Sequence, residues 1–377
     1  MIQIAAIEPA GRLYGSEFCL LDIVAGLPSS EFDWRVFLPA GNGFDRLLVE
    51  RQVSCEFLIP RNLNYLSKFR KVFVYARVLN RLRQLRPALL YVNQAGSLRA
   101  AAMYAKILGL PIVCQVQTLE DARWLSGQPA LHRDVYAFIC NSEFIAKQTI
   151  VDCDRKCVLY QGVGDHRVER TLQYALERSS RTFDASPTFG ILGRIAVSKG
   201  HYLLLDAVRR LGEKLPRSRI HVIGEGLTPA DSEAFVQAVA DAGMNERFVF
   251  RGYRSDLQNE FAAIDVLLIP SIAEPLGRVL LDAAEYNVPV IISDTGGLGE
   301  LGIRFSIGKR FHSGDSSSLA DAMVSLAGNL QHEQSCFSLA AVGMMGRLGM
   351  SGYLNCIAHI LESASRRQVV AARWLGT

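Results

Sequence analysis

Short apolar runs alternate with longer amphipathic stretches along most of the chain, and the alternation begins afresh near residue 187. This pattern predicts α/β units with parallel strands, because each buried strand must be followed by a crossover that covers one face of the sheet. In the first half the strand signals fall at 2–7, 33–38, 53–58, 88–92, 111–116, 135–140 and 157–160. Helical patterns lie near 16–27, 67–85, 97–108 and 142–150. In the second half the runs PTFGILG, RIHVIGEG, RFVFRGY, DVLLIP and PVIIS carry strand character. Helices are expected between them, near 200–214, 229–242, 255–263 and 277–286.

Two such series divide the chain into a first domain at 1–165, a polar crossing segment at 166–186 and a second domain at 187–330. A helical segment at 331–377 is expected to pack back toward the first domain. The length of 377 residues agrees, at about 150 residues per domain. With 49% hydrophobic and 21% charged residues the chain can bury a core, which excludes a disordered, collagen-like or small disulfide-stapled protein. The apolar stretch at 262–273 carries Asp265 and is too short to span a bilayer, and the N-terminus lacks the basic start of a secretory signal. None of the eight cysteines forms a CxxC pair, and most sit in apolar runs. They read as reduced core residues of a cytoplasmic protein.

Ligands of doubly wound sheets bind beyond the carboxyl ends of the strands, so the loops that follow strands carry the chemistry. After FGIL comes Gly193-Arg194-Ile195-Ala196-Val197-Ser198-Lys199-Gly200, directly ahead of a helix. A lysine at a helix N-terminus opposes the dipole unless an anion lies between them. With Arg194 it offers a diphosphate one planar fork and one point charge. After DVLLIP come Glu274-Pro275-Leu276-Gly277-Arg278 and, about 7 Å further along the expected helix at about 1.5 Å per residue, Asp282. The free N–H groups near 276–278 suit phosphate oxygens and the two carboxylates suit hydroxyls. After PVIIS, Asp294-Thr295-Gly296-Gly297-Leu298-Gly299-Glu300 permits close backbone approach to a ligand. After the first strand, Gly11-Arg12-Leu13-Tyr14-Gly15-Ser16-Glu17 opens a helix without the GxGxxG spacing of a dinucleotide fingerprint.

Together these four blocks resemble the retaining glycosyltransferases of family 4. GRIAVSKG is similar to their GRxxxxKG pattern, EPLGRVLLDAAEYNVPVII resembles their E-x(7)-E block, and GGLGE is similar to their GGxxE. GSEFCLLDIVAGL resembles their Gly-rich loop and first helix. The resemblance implies an α/β GT-B architecture, two doubly wound Rossmann-like domains facing an interdomain cleft. It also implies transfer of a sugar from a UDP- or GDP-linked donor with retention, no metal and no further cofactor.

By motif, the resemblance implies that Arg194 and Lys199 neutralise the departing diphosphate and that Glu274 contacts the donor sugar. Leu276, Gly277 and Arg278 would line the phosphates with Gly193 and Gly297, and Asp282 would take the ribose hydroxyls. Gly15 and Ser16 would approach the phosphate from the other lobe, and Gly224, Glu225 and Tyr253 would border the base. Three positions depart from the pattern: Asp282 replaces a glutamate, Tyr14 a second glycine, and Gln115-Val116-Gln117 stands where a histidine is common. A glutamine hydrogen-bonds but exchanges no proton. Gln117, Glu120 and Asp121 are the acceptor-side candidates, with a solvated loop as the plainer reading of the two acids. A catalytically silent binding protein and a sugar-nucleotide epimerase are the alternatives on the same fold.

Charge bears on the acceptor. Residues 57–119 carry ten Lys or Arg and no Asp or Glu. Within them, 66–86 place Leu66, Phe69, Val72, Phe73, Ala76, Leu79 and Leu82 at near-helical spacing among bases. Such a helix lies on an anionic membrane, receives an acidic or lipid-linked glycan acceptor, or simply covers the sheet with its charges solvated. No nucleic-acid recognition motif accompanies the charge.

Overall fold

The structure is a computed structural model that describes residues 1–9, 15–41, 43–60, 67–151, 153–183 and 186–368. The chain divides into two compact units. Met1–Gly162 with Met350–Thr377 form the first, and Val163–Gly349 form the second.

The first unit is built on seven parallel strands: β1 (Ile2–Ile7), β2 (Phe32–Phe37), β3 (Ser54–Glu56), β4 (Leu89–Val92), β5 (Ile112–Val116), β6 (Val135–Cys140) and β7 (Lys156–Val158). Their order across the sheet is β3-β2-β1-β4-β5-β6-β7. The winding reverses between β1 and β4, where Ile4 to Ile7 pair with Leu89 to Val92. All of β4 and β5 is buried, which is why they read as apolar runs, broken only by Gln115 in β5. One face packs Ile4, Leu20, Trp34 and Tyr91 with Ile357 and Leu361; the other packs Phe37, Leu82, Leu90 and Phe138.

The second unit repeats the plan with six parallel strands: β8 (Phe189–Leu192), β9 (Ile220–Ile223), β10 (Phe248–Gly252), β11 (Val266–Ile269), β12 (Val290–Ser293) and β13 (Lys309–Phe311). The order is β10-β9-β8-β11-β12-β13, with the reversal between β8 and β11. The helix His201–Leu211 covers the sheet by burying Leu204, Leu205, Val208 and Leu211. At roughly 1.5–3 kcal/mol per buried aliphatic side chain, that stripe is ample to hold a three-turn helix down.

The segment 166–186, expected as a crossing, holds the helix Asp165–Ser179, which belongs to the second unit and packs on Arg278–Glu285 and Leu330–Arg347. Its anchors are polar. Buried Arg178 donates from Nη2 to the carbonyls of Phe261 (2.7 Å) and Ile264 (3.1 Å), so a composition that reads as a polar connector still docks. The C-terminal helical segment splits in two. Leu330–Arg347 belongs to the second unit, while Met350–Ser365 lies in the first and contacts β4, β5 and β6.

Candidate functional site

In the second unit the loops after β8, β9 and β10 are laced together by their backbones. The Gly193 N–H donates to Ile223 O at 2.9 Å, Ile195 N–H to Glu225 O at 2.9 Å, and Gly224 N–H to Gly252 O at 2.9 Å. Gly224 has φ +140°, and a Cβ there would stand 2.0 Å from Gly193 O, so only glycine lets the two loops meet. Glu225 is exposed and accepts the Tyr253 N–H at 3.2 Å, and the Tyr253 ring is largely exposed as well. Arg194 is exposed on this loop, and the turn at 197–199 delivers Lys199 to the start of the helix His201–Leu211.

The loop after β11 meets that lysine. Lys199 Nζ lies 2.5 Å from Glu274 Oε2, and Ile272 N–H donates to Ser198 O at 3.0 Å. Leu276 is buried, and Gly277 begins the helix Arg278–Glu285 without a side-chain cap. The glycines after β12 have a partner within the protein. Gly297 N–H donates to Glu274 O at 2.7 Å, and a Cβ on Gly296, at φ +67°, would lie 2.6 Å from the same oxygen. Their close backbone approach is therefore to the Glu274 loop, which they seat. Asp294 is held below its ordinary range, first by the Ser313 N–H and then by His312 at 2.9 Å.

Asp282 is engaged by a residue that the motifs did not single out. Arg167, on the helix Asp165–Ser179, donates from Nη2 to Asp282 Oδ1 at 2.7 Å and from Nε to Glu285. Arg170 adds a 2.9 Å contact to Glu285. Burial pushes the Asp282 carboxyl above its ordinary range, and the Arg167 guanidinium draws it back. The i, i+3 pairs Arg167/Arg170 and Asp282/Glu285 are visible in the sequence, but nothing there matches one with the other.

In the first unit Gly15 begins the helix Gly15–Gly26, and the preceding residues 10–14, Tyr14 among them, lie outside the described residues. Ser16 Oγ accepts from Gln94 Nε2 at 3.0 Å and its carbonyl accepts from Asn93 Nδ2 at 3.1 Å. Gln117 is buried, donating to Gln115 Oε1 at 2.5 Å and Asn93 Oδ1 at 3.1 Å. Asp121 is no solvated loop acid: it accepts the Ala95 N–H at 3.1 Å and the Thr118 hydroxyl at 3.0 Å, and burial raises its carboxyl. Glu120 is exposed. Sequence reasoning missed Glu8, Asn93 and Gln94, which follow β1 and β4 at the reversal point; Asn93 Nδ2 donates to Glu8 Oε2 at 2.5 Å, and both residues are fully buried.

The basic stretch forms the helix Lys68–Leu85, capped by Ser67. Its apolar positions part company. Val78 and Leu82 are buried, whereas Phe69 is 90% exposed and Phe73 66%. Phe69 and Phe73 line a groove of about 650 Å³ with Phe57, Ile59, Pro60 and Arg77. Arg81 is forked onto Glu56 at 2.7–2.9 Å. Leu66 falls outside the described residues. Among the described residues no helix is long and apolar enough to cross a membrane.

Comparison with known proteins bears on this geometry. Residues 14–167 match the family model described as Glycosyltransferase Family 4, and residues 186–329 match Glycosyl transferases group 1. A 2-deoxystreptamine glucosyltransferase of Streptomyces kanamyceticus is 33% identical over 168 residues, 43% of this chain and 41% of that protein. A 2-deoxystreptamine N-acetyl-D-glucosaminyltransferase of Streptomyces fradiae is 28% identical over 222 residues, 58% of this chain and 52% of that protein. The chain thus spans about half the length of these curated relatives. Among solved structures, Anabaena Alr3699/HepE in complex with UDP and glucose superposes with a TM-score of 0.79 at 22% identity, covering 96% of this chain and all of that one. Sucrose-phosphate synthase from Thermosynechococcus elongatus gives 0.73 at 14% identity, covering 98% and 100%. At these identities the likeness shows the fold, the GT-B fold.

Proposed function

Since the chain belongs to the glycosyltransferases, with a Family 4 half ahead of a group 1 half, we propose that it moves a sugar from a UDP- or GDP-linked donor to a glycan or lipid-linked glycan with retention and without a metal. The observation that carries this reading is the Lys199–Glu274 pair at 2.5 Å, set between the start of one helix and the uncapped start of another. Lys199 and exposed Arg194 would neutralise the diphosphate as the bond from its oxygen to the sugar C1 breaks. The N–H groups at 276–278, with the Arg278 side chain beside them, would hold phosphate oxygens. Glu274, kept in place by Gly296 and Gly297, would accept hydroxyls of the donor sugar. Catalysis then rests on charge stabilisation that grows toward the transition state.

Retention is consistent with a concerted route. The acceptor oxygen bonds to C1 on the face the diphosphate leaves, and the acceptor proton passes to a departing phosphate oxygen. Such a route needs no general base in the first unit, which fits the buried, hydrogen-bonded Gln117. Asp121 and Gln117 hold the first unit's loops in place, which leaves Glu120 as the acceptor-side acid open to a ligand. The exposed face of Lys68–Leu85 supports an acceptor carried at an anionic membrane surface on the cytoplasmic side.

The test is thermal denaturation with UDP, GDP, ADP and their sugars, with and without EDTA, followed by turnover with an acceptor panel. A ligand that binds the folded state raises its melting temperature. A shift that survives EDTA, and turnover with the same nucleotide, are expected. Binding without turnover would favour a silent binding protein, and donor conversion without acceptor an epimerase.

A further inference from the structure

The ion-pair lattice around Asp282 extends the proposed donor site to a residue outside every motif, and the argument rests on that reading of the site. Asp282 and Glu285 share one face of the helix Arg278–Glu285, three residues apart, and Arg167 and Arg170 share one face of the helix Asp165–Ser179 with the same spacing. The guanidinium of Arg167 divides between both carboxylates, meeting Asp282 Oδ1 at 2.7 Å, while Arg170 holds the far oxygen of Glu285 at 2.9 Å. Glu285 is 7% exposed and Arg167 20%, so the fork is shielded from bulk water. The second oxygen of Asp282, Oδ2, accepts no hydrogen bond among the described residues, although the Arg278 charge also favours the ionised carboxyl.

One N–H donated to Oδ1, from a guanidinium whose other arm is tied to Glu285, holds that oxygen of a short carboxylate and leaves the other for a ligand. An aspartate has one methylene less than a glutamate and fewer rotamers with which to find a ribose hydroxyl unaided. We infer that Arg167 is a positioning residue for the donor: by holding Oδ1 of Asp282 it orients Oδ2 toward the ribose hydroxyls, so that the chain's preference for a ribonucleotide depends on a residue outside the donor-binding motifs. Without the guanidinium the half-buried carboxyl turns away or takes up a proton, since burial already raises it. Arg170 acts one step further out, by holding the far oxygen of Glu285 so that Glu285 occupies only the Nε arm of the Arg167 guanidinium.

Calorimetric binding of UDP and GDP against dUDP and dGDP, in the full chain, tests this. The unaltered protein is expected to prefer the ribonucleotide by roughly tenfold or more, the worth of a hydrogen bond to a charged acceptor. Arg167→Met should bring that ratio to within about twofold, and Arg167→Lys, which keeps the charge but cannot fork, should fall between. Asp282→Asn should abolish the preference, and adding Arg167→Met to it should cause no further loss. An unchanged ratio in Arg167→Lys or Arg167→Met, whatever happens to the melting temperature, would reduce Arg167 to a staple between helices and overturn the inference. If the unaltered protein binds a nucleotide without regard to its 2′-hydroxyl, this inference fails alone. If it binds none of the four, the donor reading itself fails and takes the inference with it.

Discussion

Lys199 and Glu274 stand 75 residues apart in the chain and 2.5 Å apart in space, a cation at the start of one helix held by a carboxylate on the loop that leads into another. The carboxylate gives the lysine a counter-charge at a helix N-terminus, where the dipole alone opposes a cation. In the proposed reaction the diphosphate takes over that compensating role.

Lys199→Ala should therefore lower turnover by about 100-fold or more, the usual cost of removing one preorganised group from a developing charge. Stability should change little, because the lysine is about a third exposed. Steady-state kinetics with the donor found by thermal shift would check it, and near-normal activity would remove Lys199 from the phosphate site.

Gly296→Ala should both destabilise the second unit and impair activity. Its φ of +67° disfavours alanine, and the new Cβ would sit 2.6 Å from Glu274 O and 3.0 Å from Glu274 N. Strain of about 1–3 kcal/mol is expected. The informative measurement is kcat beside the melting temperature: a fall in the second alone would mean that the Glu274 loop tolerates displacement.

His201 makes stability depend on acidity. Burial lowers its pKa from 6.5 to about 4, while its Nδ1 accepts the Ala196 N–H at 3.5 Å on the Arg194–Lys199 loop. The unfolded chain protonates this ring first, so the contribution is complete above about pH 6.5 and is lost progressively as pH falls toward 4. It is worth up to about 3 kcal/mol. Urea midpoints across that window should decline in the unaltered protein and decline less in His201→Gln. Parallel curves would assign the acid sensitivity to other groups.

Charge reversal at Arg70, Lys71 and Arg77 should reduce co-sedimentation with vesicles containing anionic lipid by at least about tenfold, at about 1 kcal/mol per basic residue near the surface. Phe69→Ser with Phe73→Ser should weaken it further, since these rings are the exposed apolar part of the face. Arg81 is left intact because it already serves Glu56. Equal binding by all variants would return this helix to the role of sheet cover.

Much of the plan is local, and the sequence by itself determined it. A strand such as LLYV is apolar throughout because both its faces are covered, and each chemical loop follows a strand end because a doubly wound sheet opens there. The phosphate-suited residue types at 193–200 and 274–278 were legible for the same reason, since a turn's glycine and a helix's first turn are short-range features. Only the tertiary structure decided the pairings. Periodicity marks Phe69, Phe73 and Leu82 alike as one apolar stripe, yet neighbours cover only the last. Composition marks Gly296 and Gly297 as sites of close approach, yet not that the Glu274 backbone is what approaches. Arg167 finds Asp282 across 115 residues, through a helix whose anchors are charges rather than apolar side chains. Hydrophobic spacing records which face of an element is buried, but a charge carries no mark of its partner, and that choice is made when the elements pack.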